Sequence, residues 1–160
     1  MPVPALFTIG YEGLDITAFI VRLREARIHL VVDVRELPLS RKKGFSKNAL
    51  REQLVAVGIE YSHLASLGCP AWIRNRYRAD GDWTQYTRDF LTYLETQNAK
   101  VRELAQMSRA TNACLMCFEA DNSMCHRTYV ARAAKRFGAP TIKHLTAKTE
   151  LLDQPLLAAA

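Results

Sequence analysis

Two hydrophobic spacings alternate along this chain. Leu6-Phe7-Thr8-Ile9 is a short apolar run closed by Gly10, and Ile16, Phe19, Ile20 and Leu23 then recur at the three-, four- and seven-residue spacing of a helix with one buried stripe. A strand followed by a helix is predicted. Leu30-Val31-Val32-Asp33-Val34 is rich in β-branched residues, as strands buried on both faces are, and a loop runs from Arg35 to Phe45. Ser46 stands in the N-cap position ahead of Leu50, Leu54 and Val57 on one helical face, and Gly58 stops that helix before a third strand, Ile59 to His63.

Gly68, Pro70 and Gly81 mark residues 64–82 as a long connector. From Trp83 to about Met107 the pattern is helical, with Tyr86, Phe90, Leu94, Val101 and Leu104 as the buried stripe and a break near Asn98. Ala113 to Phe118 reads as a strand, Cys125 to Phe137 as a helix closed by Gly138 and Pro140, and Thr141 to Leu145 as a last strand. Strands separated by helices imply right-handed crossovers. The expected fold is α/β, a mostly parallel doubly wound sheet flanked by helices, in a single domain spanning residues 1–160.

Composition narrows the class without changing that picture. With 160 residues, 49% hydrophobic and 24% charged, the chain is long enough to bury one core. No apolar run approaches the ~20 residues of a membrane span, and the N-terminal Met1-Pro2-Val3-Pro4-Ala5-Leu6 lacks the charged flank of a signal peptide. A cytoplasmic protein without a membrane partner is expected, and the pattern sets no oligomeric state. The formal charge of +6 permits an anionic partner without demanding one, so a small anion, a nucleotide and a nucleic acid all stay in play. Four cysteines are too few for a disulfide scaffold, and each is judged by its surroundings.

In a sheet of this kind ligands bind beyond the carboxyl ends of the strands. Those ends are Gly10-Tyr11-Glu12-Gly13, Asp33-Val34-Arg35, His63 and Cys117-Phe118-Glu119. Strand termini are polar simply because they meet water, yet so many reactive groups at one edge point to a site. Cys125-His126-Arg127 joins them. A thiol at a helix start, beside His126 and Arg127, is favoured as thiolate, and the same start cradles an anion with Arg127 as a planar donor. The bland alternative makes Cys125 a small buried residue, His126 a surface donor and Arg127 a salt-bridge partner.

Cys114-Leu115-Met116-Cys117 has the spacing of a metal or redox C-x-x-C, but residues three apart on a strand point to opposite faces. Cys114 is therefore expected in the core, whereas Cys117 and Glu119 share a face and approach Cys125. No cofactor or metal is expected. Zinc on Cys117, Cys125 and His126, with His63 or Cys69 as fourth ligand, is the weaker alternative because the paired spacings of structural zinc motifs are missing.

Residues 35–47 hold five basic residues and one acid, with Gly44 for flexibility and Ser46 opening a helix. This loop attracts phosphate, carboxylate or a nucleic-acid backbone, or else it is a solvated charged loop. A third stretch interleaves Trp72, Tyr77, Trp83 and Tyr86 with Arg74, Arg76, Arg78 and Arg88. It suits base stacking and also suits an ordinary lid, which Asp80 and Asp82 favour by diluting the positive field.

These segments together closely resemble the DUF488 family: Thr8-Ile9-Gly10-Tyr11-Glu12-Gly13, Val32-Asp33-Val34-Arg35 with Pro38, Ser40-Arg41 and Gly44-Phe45-Ser46, Gly58-Ile59, Tyr61, His63-Leu64 and Leu67-Gly68, then Cys117-Phe118-Glu119 and Cys125-His126-Arg127. The resemblance runs from residue 8 to about 145, and Ala113-Cys114 and the stretch from Trp72 to Asp82 depart from it. It implies a small α/β protein; some members carry labels such as DNA repair protein, and the cysteine and histidine invite suspicion of enzymatic activity.

Two readings follow. In the first, an enzyme acts on a phosphorylated or nucleotide-like anion, with Cys125 or Cys117 as nucleophile and Glu119 or His126 as acid and base. Arg35, Ser40, Arg41, Lys42, Ser46 and Arg127 hold the anion, with Asp33, Tyr11 and Glu12 beside them. In the second, a nucleic-acid-binding accessory protein keeps its cysteines as structural residues. Gly10-Tyr11-Glu12-Gly13 lacks the third glycine of a dinucleotide fingerprint, which sets a Rossmann cofactor aside.

Overall fold

Why the two hydrophobic spacings alternate is plain in a computed structural model of the chain, which describes residues 3–154. The strands are β1 (Leu6–Gly10), β2 (Leu30–Asp33), β3 (Glu60–His63), β4 (Ala113–Cys117), β5 (Ile142–Leu145) and β6 (Glu150–Leu152). The helices are α1 (Ile16–Glu25), α2 (Lys47–Val55), α3 (Ala71–Asp80), α4 (Trp83–Glu95), α5 (Asn98–Ala110) and α6 (His126–Arg136). One sheet runs in the order β3-β2-β4-β1-β5-β6, parallel except for β6.

Alternation along each strand divides the core into two layers. Phe7, Ile9, Val31, Cys114 and Met116 meet Phe19 and Leu23 of α1 and Leu50 and Leu54 of α2. Leu6, Leu30, Val32 and Leu115 meet Ile73, Phe90, Leu94, Leu104 and Val130 from the remaining helices. The expected doubly wound α/β sheet is what forms. The chain leaves β1 toward β2 and leaves β4 toward β5, so these neighbouring strands send their connections in opposite directions. Their carboxyl ends open the crevice in which this class of sheet binds ligands. No helix among the described residues is long and apolar enough to cross a membrane.

The connector over residues 64–82 is not a loop. It contains a 3-10 turn, Ala65–Leu67, and the ten-residue α3. Gly68 and Pro70 precede that helix, and Gly81, left-handed at φ 65°, ends it with its N–H on the Tyr77 carbonyl. The loop signals were therefore helix caps. Only Ile73 of α3 is buried, which leaves too little apolar periodicity to announce a helix. The break near Asn98 is where α4 gives way to α5, and β6, three exposed residues pairing antiparallel with β5, has no sequence signal of its own. Ser46 does occupy the N-cap of α2, but its hydroxyl exchanges hydrogen bonds with the Ser40 backbone and leaves the helix uncapped.

A buried polar chain crosses from β1 to the far edge of the sheet. Arg127 Nε donates to Thr8 Oγ1 at 3.2 Å, and the Thr8 hydroxyl in turn donates to His144 Nδ1 at 2.7 Å. His144 Nε2–H donates to Asp153 Oδ1 at 2.8 Å, and Arg132 clasps that carboxylate with two bonds of 3.0 Å. Burial holds the His144 imidazole below its ordinary value of 6.5, with Arg127 and Arg132 acting in the same direction and Asp153 opposing them. The unfolded chain takes up that proton more readily than the folded one, so stability is complete above about pH 6.5 and falls as the pH drops below it. Urea melts at pH 7.5 and 5.5 check this: the midpoint is expected lower at 5.5, and His144→Gln, which does not titrate, is expected to narrow the difference.

Candidate functional site

At the carboxyl ends of β1, β2 and β4 lies a cleft of about 610 Å³. Cys117, the last residue of β4, and Glu119 just beyond it line its floor with His126, while Tyr11 and Arg35 form one wall. The opposite wall comes from α3 and the start of α4: Arg74, Tyr77, Arg78, Trp83 and Tyr86. Trp83 and Tyr86 lie one turn apart on α4 with rings stacked at 4.5 Å and 13° from parallel, and Tyr77 meets both edge-on.

Three reactive groups converge at the floor, Cys117 and His126 in it and Cys125 beneath. One ligating atom from each of Cys117, Cys125 and His126 lies within 4.8 Å of the others. Cys125 is extended, φ −140° and ψ 141°, and stands immediately before α6 with its side chain free of any capping role. Its sulfur lies 3.8 Å from His126 Nδ1. His126 Nε2 lies 2.7 Å from the Val34 carbonyl, which only accepts, so Nε2 carries a proton, and in the neutral tautomer Nδ1 presents its lone pair toward Cys125 Sγ. Cys117 Sγ is 3.5 Å from Glu119 Oε2 and receives a hydrogen bond from Arg127 Nη1 at 3.3 Å.

Strand geometry separates the two ends of the C-x-x-C. Cys114 sits opposite Phe7 within the α1/α2 layer, whereas Cys117, opposite Gly10, faces the cleft. Burial pushes both thiols up, as it does Cys69, which rises to about 11. For Cys117 the neighbouring Cys125 adds to the rise, and Arg127 and His126 oppose it.

The basic candidates divide sharply. Asp33, fully buried, accepts from Arg35 Nε at 2.9 Å and Nη2 at 2.7 Å, and Arg35 also donates to the Phe45 carbonyl at 2.7 Å and to Tyr11 Oη at 3.4 Å. Burial alone would lower the Arg35 guanidinium, but Asp33 and Tyr11 hold it above its ordinary value. Lys42 Nζ donates to the Tyr11 and Leu14 carbonyls, Ser40 and Ser46 bond each other, and Glu12 accepts from Ala120 N. Arg127, with no exposed surface, donates to Thr8 Oγ1, to Cys117 Sγ and to the carbonyls of Glu119 and Ala120. It is an anchor for the floor.

Of the residues expected at the site, Tyr11, Arg35, Cys117, Glu119 and His126 line the cleft; Cys125 and Arg127 lie beneath it. Asp33, Glu12, Ser40, Arg41, Lys42 and Ser46 do not line it. The cations on its rim come instead from α3: Arg74, bonded to Glu36 and to the Cys69 carbonyl, and the exposed Arg78, which has no bonded partner among the described residues. The alternation of aromatics and arginines between Trp72 and Arg88 was their signal.

A search of curated proteins and one of solved structures each return no match. The family model described as "Domain of unknown function DUF488" matches residues 15–134. Asp33, Arg35, Cys117, Glu119, Cys125, His126 and Arg127 all fall inside that segment, and the chain belongs to the DUF488 family.

Proposed function

We propose that this chain is a thiol-dependent enzyme acting on a small molecule that carries a planar ring and an anionic group, as a nucleotide does. The observation that carries the reading is the convergence of Cys117, Cys125 and His126 under a cleft at the switch point of the sheet. The stacked Trp83 and Tyr86 suit the flat face of a ring, and Arg78 and Arg74 at the rim suit the anion. Glu119, 3.5 Å from Cys117 Sγ, is the group positioned to carry a proton.

Turnover is the test. With nucleoside phosphates and aryl phosphate esters as probe substrates, Cys117→Ser and Cys125→Ser are each expected to lower kcat/KM by at least ~100-fold, and Glu119→Gln by a comparable factor. Cys114→Ser, on the other face of the sheet, is expected to leave it unchanged. A Cys117→Ser/Cys125→Ser chain that turns over as fast as the parent removes the reading.

A nucleic-acid-binding reading finds its support in the +6 charge and in Trp72, which is 56% exposed on α3 one turn before Arg76. It requires oligonucleotide binding that weakens steeply as salt rises. Binding insensitive to salt, or none, sinks it.

A further inference from the structure

We infer that Cys117 Sγ, Cys125 Sγ and His126 Nδ1 bind one soft divalent cation of the zinc class, with a fourth position open toward the cleft. This rests on the enzymatic reading only for the use made of the open position; the cation site stands on the donor set itself.

The three donors are fixed by separate parts of the backbone. Cys117 is held where β4 meets β1, its carbonyl accepting from Tyr11 N at 3.1 Å. Cys125 is the extended residue before α6, and His126 opens that helix. Bonds of ~2.3 Å to sulfur and ~2.0 Å to nitrogen at tetrahedral angles set neighbouring donors roughly 3.5–3.8 Å apart. Cys125 Sγ and His126 Nδ1 are already 3.8 Å apart, and the whole set lies within 4.8 Å, so a contraction of about 1.3 Å at most completes the geometry.

The imidazole is oriented for the task. A ligating histidine ordinarily donates its other N–H to a carbonyl or carboxylate, which fixes the tautomer and aims the lone pair. His126 does this through Nε2 to the Val34 carbonyl, and Phe90 packs against the ring edge-on at 5.4 Å. The sulfur of Cys117 has its own outer donor in Arg127 Nη1. Two thiolates and a neutral imidazole cancel the charge of a divalent cation, and sulfur with imidazole selects zinc over calcium or magnesium.

The fourth position decides what the cation does. His63, one sequence candidate for it, is turned to the Arg35 carbonyl at 2.7 Å, and among the described residues neither His63 nor Cys69 joins the cluster. Glu119 stands on the cleft side of Cys117, where it can bond a water in the open position. Three protein ligands with an open position are the pattern of zinc centres that activate water or polarise a substrate oxygen; structural centres close with four. The thiols then serve as ligands. The balance is two thiols plus one cation giving two metal-bound thiolates and two protons released to solvent.

The full chain, stripped with a chelator and titrated with Co²⁺ in place of Zn²⁺, tests this. Expected are one cobalt per chain, a thiolate-to-metal charge-transfer band with the visible bands of tetrahedral cobalt, two protons released, and displacement by Zn²⁺. Cys117→Ser, Cys125→Ser and His126→Gln should each lose stoichiometric binding while keeping the parent's far-ultraviolet circular dichroism, and Cys69→Ala and Cys114→Ala should keep it. Absence of a charge-transfer band, an octahedral spectrum, or binding that survives Cys125→Ser overturns the inference. Thiol-dependent turnover by a chain that binds no cobalt removes this inference and leaves the enzymatic reading; stoichiometric binding without turnover of any probe does the reverse.

Discussion

Replacing Asp33 by Ala is expected to lower the stability of the chain by ~3–5 kcal/mol, the range in which a buried ion pair loses one partner. Asp33 has no exposed surface and accepts four hydrogen bonds: from the Arg35 backbone N–H at 3.1 Å, from Arg35 Nε and Nη2, and from Tyr61 Oη at 2.6 Å. Truncation leaves the Arg35 guanidinium buried with only the Phe45 carbonyl and the Tyr11 hydroxyl for partners. The size of the effect comes from that stranded charge, since an intact buried pair is worth little more than well-packed apolar residues. A double variant, Asp33→Leu/Arg35→Met, is therefore expected to recover most of the loss. Thermal melting decides it: about 2–4 °C per kcal/mol puts the single variant roughly 6–20 °C below the parent. A drop under ~3 °C, or a double variant worse than the single, would show that Arg35 finds solvent or another partner instead.

Asp33 and Arg35 also mark the boundary of what the sequence disclosed. A carboxylate at the end of a β-branched run is visible as a polar residue where a buried strand meets the crevice. Nothing in the run says that its partner stands two residues on and that the two neutralise each other inside the protein. Lys42, Ser40 and Ser46 repeat the lesson. Their residue types promise anion binding, but their donors satisfy carbonyls and amides whose positions only the folded chain defines. β1 to β5 and α1, α2, α4, α5 and α6 were legible from short apolar or β-branched runs or from a periodic apolar face, whereas β6, three exposed residues, carries neither. α3 was not, because it presents one buried residue, Ile73, and otherwise serves as a wall of arginines and aromatics. The separation of Cys114 from Cys117 was legible for the same reason as the strands, a two-residue period. The tautomer of His126 was not, because it depends on a carbonyl ninety-two residues away in sequence.

Gly10→Ala is the other substitution expected to act strongly, and it joins the fold to the site. Gly10 ends β1 opposite Cys117, and the chain beyond β4 crosses directly over it. A methyl group at this position collides with the carbonyl carbon and oxygen of Glu119 and comes within 2.9 Å of Ala120 N, all of them backbone atoms that no rotamer change can remove. The segment has no room to retreat. Tyr11 N and Glu12 N donate to the Cys117 and Phe118 carbonyls, the Glu12 carboxylate holds Ala120 N at 3.0 Å, and Arg127 grips the Glu119 and Ala120 carbonyls from beneath. Overpacking usually costs about 1–3 kcal/mol, and a clash with clamped backbone belongs at or above the upper end, a fall in Tm of roughly 6–12 °C. Gly58 supplies the contrast: at φ 80° with open space around it, alanine there meets only backbone strain of ~1 kcal/mol. Relief of the clash at Gly10 moves Glu119, and with it the end of β4 that carries Cys117, so folded Gly10→Ala is expected to lose both turnover and stoichiometric cobalt binding while Gly58→Ala keeps them. If Gly10→Ala melts within ~2 °C of the parent and still binds cobalt, the close crossing of the Glu119 segment over β1 does not hold the site together.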